Sequence, residues 1–330
     1  MRILVTGGCG FLGHHVVDHF LRRGDADIVV LDKLTYASNG YDRLRDSEVF
    51  DDRRVTTLAA DFREPLSPGV CQEIGAVDYI LHLGGETHVD RSIADCTPFT
   101  LSNVLGTQRM LDFARTVPSL KLMIYASTDE VYGTAPDGVL YKEGDPPDPR
   151  NPYAATKLGA EALCLAYAHT HGVPVAITNT MNLFGERQHP EKFMPLVIRK
   201  VLAEETVTIH SSPDKTRSGS RFYIHCRNWA AAAEFLFTMA VPHERYNIVG
   251  ELEITNLDLA LLIAEYVGKP LRYKMVDFHS SRPGHDLRYS LDGTKMRLMG
   301  WEPPVGFHAS LRKMVEWTLA HPRWLEWSTP

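Results

Sequence analysis

The chain has 330 residues, 44% hydrophobic and 23% charged, with a formal net charge of −6. That is globular composition, long enough for one large or two modest domains, and an acidic balance with no Lys/Arg run argues against a nucleic-acid surface. Five scattered cysteines (Cys9, Cys71, Cys96, Cys164, Cys226) with no metal-ligand spacing predict reduced thiols, no metal site and a cytoplasmic protein. A signal peptide is not expected from "MRILVTGG", and no apolar stretch approaches the roughly 20 residues of a membrane helix.

In chain order, short apolar runs predict strands at 2–6 (RILVT), 27–32 (DIVVLD), 54–60 (RVTTLAA), 79–83 (YILHL), 121–127 (KLMIYAS) and 175–180 (VAITNT). Amphipathic stretches such as FLGHHVVDHFLRRG and LSNVLGTQRMLDFART lie between them. Runs apolar on both faces, alternating with helices, predict a doubly wound parallel α/β domain over 1–180. The pattern loosens over 181–225. A strong helix (RNWAAAAEFLFTMAV) and a strand-like RYNIVG follow, and these complete the first domain over about 226–250. Residues 181–225 and 251–330 are expected to form a smaller, interleaved substrate domain.

The stretch VTGGCGFLG follows the first strand and opens a helix, with Gly7, Gly10 and Gly13 three apart. The early glycines permit a tight turn and close approach to a pyrophosphate. The last lets the helix pack on the sheet, with its N-terminus facing the negative charge. Phe11 and Leu12 fall inside the same turn. Asp32 ends the next strand, where an acid accepts hydrogen bonds from ribose hydroxyls and disfavours a 2′-phosphate, so NAD is expected. Asp61, after the third strand, is a candidate for the adenine amino group.

The stretch ASTDEVYG (126–133) sets Asp129 beside Glu130 at the end of an apolar run. Burial and a neighbouring carboxylate both raise a carboxyl pKa, so such a pair can keep one proton while the other acid is ionised. In NPYAATK, Tyr153 and Lys157 stand four apart at a helix start, on one face. An ammonium there is expected to lower the Tyr pKa and make the phenol a usable base.

With these motifs, and with LDKLTYASN, ETHVDRSI, NLFGERQHPEKFMP, YNIVG and RPGHDLRYSLD, the sequence resembles the extended short-chain dehydrogenase/reductases. Within them it is similar to the nucleotide-sugar 4,6-dehydratases of the dTDP-glucose type, over nearly the whole chain. The resemblance implies a Rossmann fold and NAD. It also implies a nucleotide-diphospho-hexose substrate and a 4-keto-6-deoxy product. Tyr153 would take the C4 hydroxyl proton, Thr128 would bond O4, and Lys157 would support Tyr153 and the cofactor. Glu130 would be the C5 base and Asp129 the acid at O6. Thr87, Asn103, Asn182, Lys192, Arg221, Asn247 and His285 match substrate-side or positioning residues of the family, and a homodimer through helices around 100–116 and 153–170 is expected.

Some positions depart from the family pattern. Phe184 and Glu186 flank Gly185, and Cys226, Arg227 and Asn228 stand where two acids are usual. These departures bear on nucleotide and hexose identity. A 4-epimerase, a decarboxylase, a 5,6-dehydratase and a non-catalytic NAD-binding regulator remain as alternatives.

Overall fold

The computed structural model describes residues 1–24, 26–277 and 287–326. Its strands are β1 (Arg2–Thr6), β2 (Asp27–Asp32), β3 (Val55–Ala59), β4 (Tyr79–His82), β5 (Leu122–Ala126) and β6 (Val175–Thr180). They continue with β7 (Asn182–Phe184), β8 (Val207–Ser211), β9 (Ser220–His225), β10 (Arg245–Ile248), β11 (Glu253–Thr255) and β12 (Tyr273–Asp277). Seven of them form one sheet in the order β10-β6-β5-β4-β1-β2-β3, and every pairing in it is parallel. The first six predicted strands are all present, within a residue of the expected bounds. This is the Rossmann α/β fold.

The sheet is covered on both faces, and the strand residues alternate accordingly. Ile3, Val5, Ile28 and Val30 pack with Val16, Val17 and Phe20 of the Phe11–Arg23 helix and with Trp229 and Leu236 of the Cys226–Met239 helix. Leu4, Val29, Leu31 and Ile80 point the other way, onto Met110, Leu111, Ala160 and Cys164. Both faces are apolar, which is why the strands read as unbroken hydrophobic runs.

The sheet order reverses between β1 and β4. Ligands of doubly wound sheets bind at such a switch point, beyond the C-terminal strand ends.

The looser 181–225 region holds two short strands of a three-stranded β11-β9-β7 sheet, the Phe193–Leu202 helix, and β8, which pairs with β12. Leu259, Ile263, Phe307 and Leu311 close a separate core around them. Met296 and Trp301 fall in the segment expected to belong to the smaller unit, yet they pack in the core of the large sheet. The expected helix at 101–116 opens as a wide π turn over Thr100–Leu105 before becoming α-helical at Gly106–Ala114. Among the described residues no helix is long and apolar enough to cross a membrane.

Candidate active site

A cavity of about 380 Å³ lies at the C-terminal ends of β1, β2, β4 and β5. Its floor is the glycine turn. Gly7 sits at φ +68°, and its N–H donates to the Leu31 carbonyl at 2.8 Å. A Cβ on Gly13 would lie 2.2 Å from the Gly7 carbonyl oxygen, so only glycine lets the helix start this close to the turn. Gly7, Gly10, Phe11, Leu12 and Gly13 all line the cavity. Asp32 lines it too, with one carboxylate oxygen accepting from Cys9 N–H (3.0 Å) and the other from Leu34 N–H (2.8 Å). A bare backbone cradle at a helix N-terminus, with a fixed acid one strand away, fits a dinucleotide. Asp61 is not on the wall. Its carboxylate is engaged by Arg63 at 2.5–3.0 Å, and the neighbouring Phe62 lines the cavity instead.

Beyond β5 the chain turns into a short 3-10 helix, Asp129–Tyr132, capped by the Thr128 hydroxyl. This turn places Thr128, Asp129 and Glu130 on the cavity wall with Tyr153 and Lys157. Asp129 is 5% exposed, and its Oδ1 accepts from Thr128 Oγ1 at 2.9 Å. Burial, and then the Glu130 charge, push its carboxyl up to about 7. Glu130 is only half-buried, and Asn151 Nδ2 donates to its Oε2 at 2.8 Å. The two acids therefore sit in unequal surroundings.

Tyr153 and Lys157 come from the Pro152–His171 helix. Asn151 caps it by accepting from Ala154 N–H, and Pro152 takes its first position. The expected lowering of the Tyr153 pKa is corrected by the structure. Burial and the nearby Glu130 charge raise the phenol well above its ordinary value, against a smaller lowering influence of the Thr128 hydroxyl. The Lys157 ammonium is turned to the Ala126 carbonyl (2.6 Å) and lies 4.3 Å from the Tyr125 ring centre. Burial lowers it to about 8, opposed by the charge of Glu161 one turn on.

The substrate-side candidates divide. Thr87, Asn182 and Lys192 line the cavity. Asn103 sits behind the wall. Its Oδ1 accepts from Glu86 N–H (2.9 Å) and its Nδ2 donates to Thr156 Oγ1 (3.0 Å), tying the loop after β4 to the helix of Tyr153. Arg221 is off the wall, stacked 4.5 Å from the Tyr289 ring centre and donating to the Ser220 and Leu287 carbonyls. Asn247 is corrected as a wall residue: it is fully buried, and its Nδ2 joins the Tyr141 and Asp292 carbonyls. His285 lies outside the described residues.

Several wall or support residues escaped the sequence reading. Tyr36, Arg43 and Glu191 line the cavity. Asn151 and Glu161 act from behind it. The cap position before Pro152 was a usable signal for Asn151, whereas Glu161, bonded to Asn179 and Arg245, carried none.

A model of the NAD dependent epimerase/dehydratase family matches residues 3–249. The low-salt glycan biosynthesis protein Agl12 of Haloferax volcanii is 37% identical, over 97% of this chain and 99% of its own length. A dTDP-glucose 4,6-dehydratase of Streptomyces niveus is 37% identical, over 99% and 95%. Among solved structures, the dTDP-glucose 4,6-dehydratase DesIV of Streptomyces venezuelae, crystallised with NAD bound, superposes with a TM-score of 0.88 at 36% identity and covers 99% of both chains. The chain belongs to the NAD dependent epimerase/dehydratase family.

Proposed function

We propose that this protein is an NAD-dependent nucleotide-sugar 4,6-dehydratase, a hydro-lyase that converts dTDP-glucose to its 4-keto-6-deoxy product. The observation that carries the reading is the unequal carboxyl pair, Asp129 and Glu130, on one cavity wall with Thr128, Tyr153 and Lys157. An oxidation site alone needs a hydroxyl, a phenol and an ammonium. An acid held protonated beside a second, ionised acid is what elimination adds.

The chemistry supplied by bound NAD is reversible hydride acceptance, which allows oxidation at C4 and reduction at C6 with no net redox change. Tyr153 Oη, once its own tightly held proton has left the phenol, takes the C4 hydroxyl proton as a phenolate, and Thr128 Oγ1 holds O4. Lys157 keeps positive charge beside them. Once C4 is a carbonyl, the C5 proton is acidic, and Glu130 removes it. Asp129 gives its proton to the C6 hydroxyl, which leaves as water. The proton on Glu130 returns to C5 as C6 is reduced. The proton gained by Tyr153 replaces the one lost by Asp129, and the site is reset.

Thr87, Asn182 and Lys192 are assigned to the nucleotide-sugar side, and Gly7, Gly10, Phe11, Leu12, Gly13 and Asp32 to NAD. Residues 1–180 with 226–250 are assigned to the cofactor unit and the remainder to the substrate unit. We further assign a cytoplasmic homodimer in deoxysugar biosynthesis. The adjacent Gly106–Ala114 and Pro152–His171 helices, beside a Leu101 that is 39% exposed, support a dimer face.

The test is substitution of each acid. Glu130→Gln and Asp129→Asn should abolish the 4-keto-6-deoxy product yet leave NAD bound. Full product from the double variant would overturn the assignment.

A further inference from the structure

Two adjacent carboxyls sharing one proton do not by themselves decide which keeps it. For elimination, the acid facing C5 must be the ionised one, so something must set the order. The amide of Asn151 is in position to do so. Asn151 is 5% exposed, and both ends of its side chain are used. Oδ1 accepts from Ala154 N–H at 2.8 Å, and Nδ2 donates to Glu130 Oε2 at 2.8 Å. The orientation of the amide is not arbitrary. A backbone N–H can only be met by the oxygen, so the NH2 end must face Glu130.

A hydrogen bond donated to a carboxylate favours its charged form. Glu130 Oε2 also has the Tyr289 hydroxyl 3.4 Å away. Asp129 is served differently: Oδ1 takes the Thr128 hydroxyl, and Oδ2 is buried with no hydrogen-bond partner among the described residues. Among the described residues, the groups bearing on the pair include Tyr153 from the Pro152–His171 helix, whose phenol feels both acids, and Arg221 from β9, whose charge acts on Asp129. None of these replaces an amide that is locked by the helix it caps.

We propose that Asn151 is a positioning residue for the elimination step: its amide fixes Glu130 as the ionised, oriented base and leaves the shared proton on Asp129. This rests on the assignment of Glu130 as the C5 base. Because the same amide caps the helix of Tyr153 and Lys157, it also registers the base against the oxidising groups.

Asn151→Asp and Asn151→Ser both keep an oxygen to cap Ala154 N–H, and both replace the fixed amide N–H that faces Glu130. Asn151→Asp also sets a third carboxyl against the pair. Both variants should keep the melting temperature and the bound NAD, and should reduce the cofactor on adding dTDP-glucose within about twofold of the unchanged protein. Turnover should fall with KM little changed, by about tenfold for Asn151→Asp, the scale of one hydrogen bond to a charged group. The kinetic isotope effect with C5-deuterated substrate should rise in both.

If cofactor reduction and turnover fall together, Asn151 is only a cap and the proposal fails. If turnover and isotope effect are unchanged, it fails as well. Glu130→Gln is run in parallel. Turnover by that variant would sink the base assignment itself, whereas a dead Glu130→Gln beside a fully active Asn151→Asp would sink the positioning role alone.

Discussion

His225 Nε2 meets the Glu186 carboxylate at 2.9 Å, with both side chains buried. His225 Nδ1 already accepts the Arg227 N–H at 3.1 Å, so the ring is neutral and its one proton goes to Glu186. Burial is the largest single influence and would raise the Glu186 carboxyl, but the hydrogen bond from His225 and the other influences of His225, His15 and the backbone together hold the group well below its ordinary value. Glu186 departs from the family pattern, and His225 directly precedes the departing Cys226, Arg227 and Asn228.

Removing one partner of this pair should be costly. His225→Phe leaves a buried carboxylate without its donor and uncaps the following helix, and should cost roughly 3–5 kcal/mol. Glu186→Gln keeps an acceptor of the same size and should cost only about 1 kcal/mol. Urea unfolding of the two variants checks the difference.

Acid should destabilise the protein through its buried imidazoles. Burial holds His14 and His225 below the ordinary value, and His15 and His82 at about 3. His82 is fixed as a neutral ring. It accepts from the Thr6 hydroxyl at Nδ1 (2.7 Å) and donates from Nε2 to Thr107 Oγ1 (3.1 Å), whose own hydroxyl donates to the Asn103 carbonyl. A depressed folded pKa means that the unfolded chain binds the proton first. The stability is fully present above about 6.5 and is lost as pH falls toward the folded values. At pH about 5 His15 and His82 each withdraw roughly 2 kcal/mol, and His14 and His225 act in the same direction. Asp129 works in the opposite sense, since its burial penalty is present above about 7 and relieved below it. The urea midpoint should therefore drop between about pH 7 and 5, and a constant midpoint would contradict the buried neutral rings.

The alkaline side should appear in catalysis. Asp129 must carry a proton to release water, and it titrates at about 7. kcat/KM for product should fall as pH rises past that value, by up to about tenfold per pH unit. Loss of Lys157 charge near 8 should steepen the fall. The rate of cofactor reduction, which does not need the Asp129 proton, should lack the first limb.

At the cofactor end, Gly13→Ala is expected to be severe. Its Cβ would meet the Gly7 oxygen at 2.2 Å and Gly8 Cα at 2.5 Å, both backbone atoms that cannot step aside. The variant should lose bound NAD and melt lower. The absorbance ratio of the purified protein and a thermal scan report both.

The sheet was legible because its strands are buried on both faces, as in β6, where all six residues are buried. The glycine turn, Asp32, the carboxyl pair and the Tyr153–Lys157 helix were legible for a different reason: local spacing fixes them. What escaped depends on contacts across long stretches of chain. Glu186 finds His225, Asn247 is drawn into a backbone junction with Tyr141 and Asp292, and the Lys157 ammonium prefers the Ala126 carbonyl. The rise in Tyr153 could not be foreseen from a four-residue spacing, because burial and the Glu130 charge decide it.

The central claim is elimination with internal hydride return, and one labelled substrate tests it. The protein, loaded with NAD, is incubated with dTDP-glucose carrying deuterium at C4, and the product is read by mass spectrometry and NMR. The expected product is a 4-keto sugar lighter by one water, with the deuterium now at C6. A product of unchanged composition inverted at C4, or a dehydrated sugar without deuterium at C6, would contradict it.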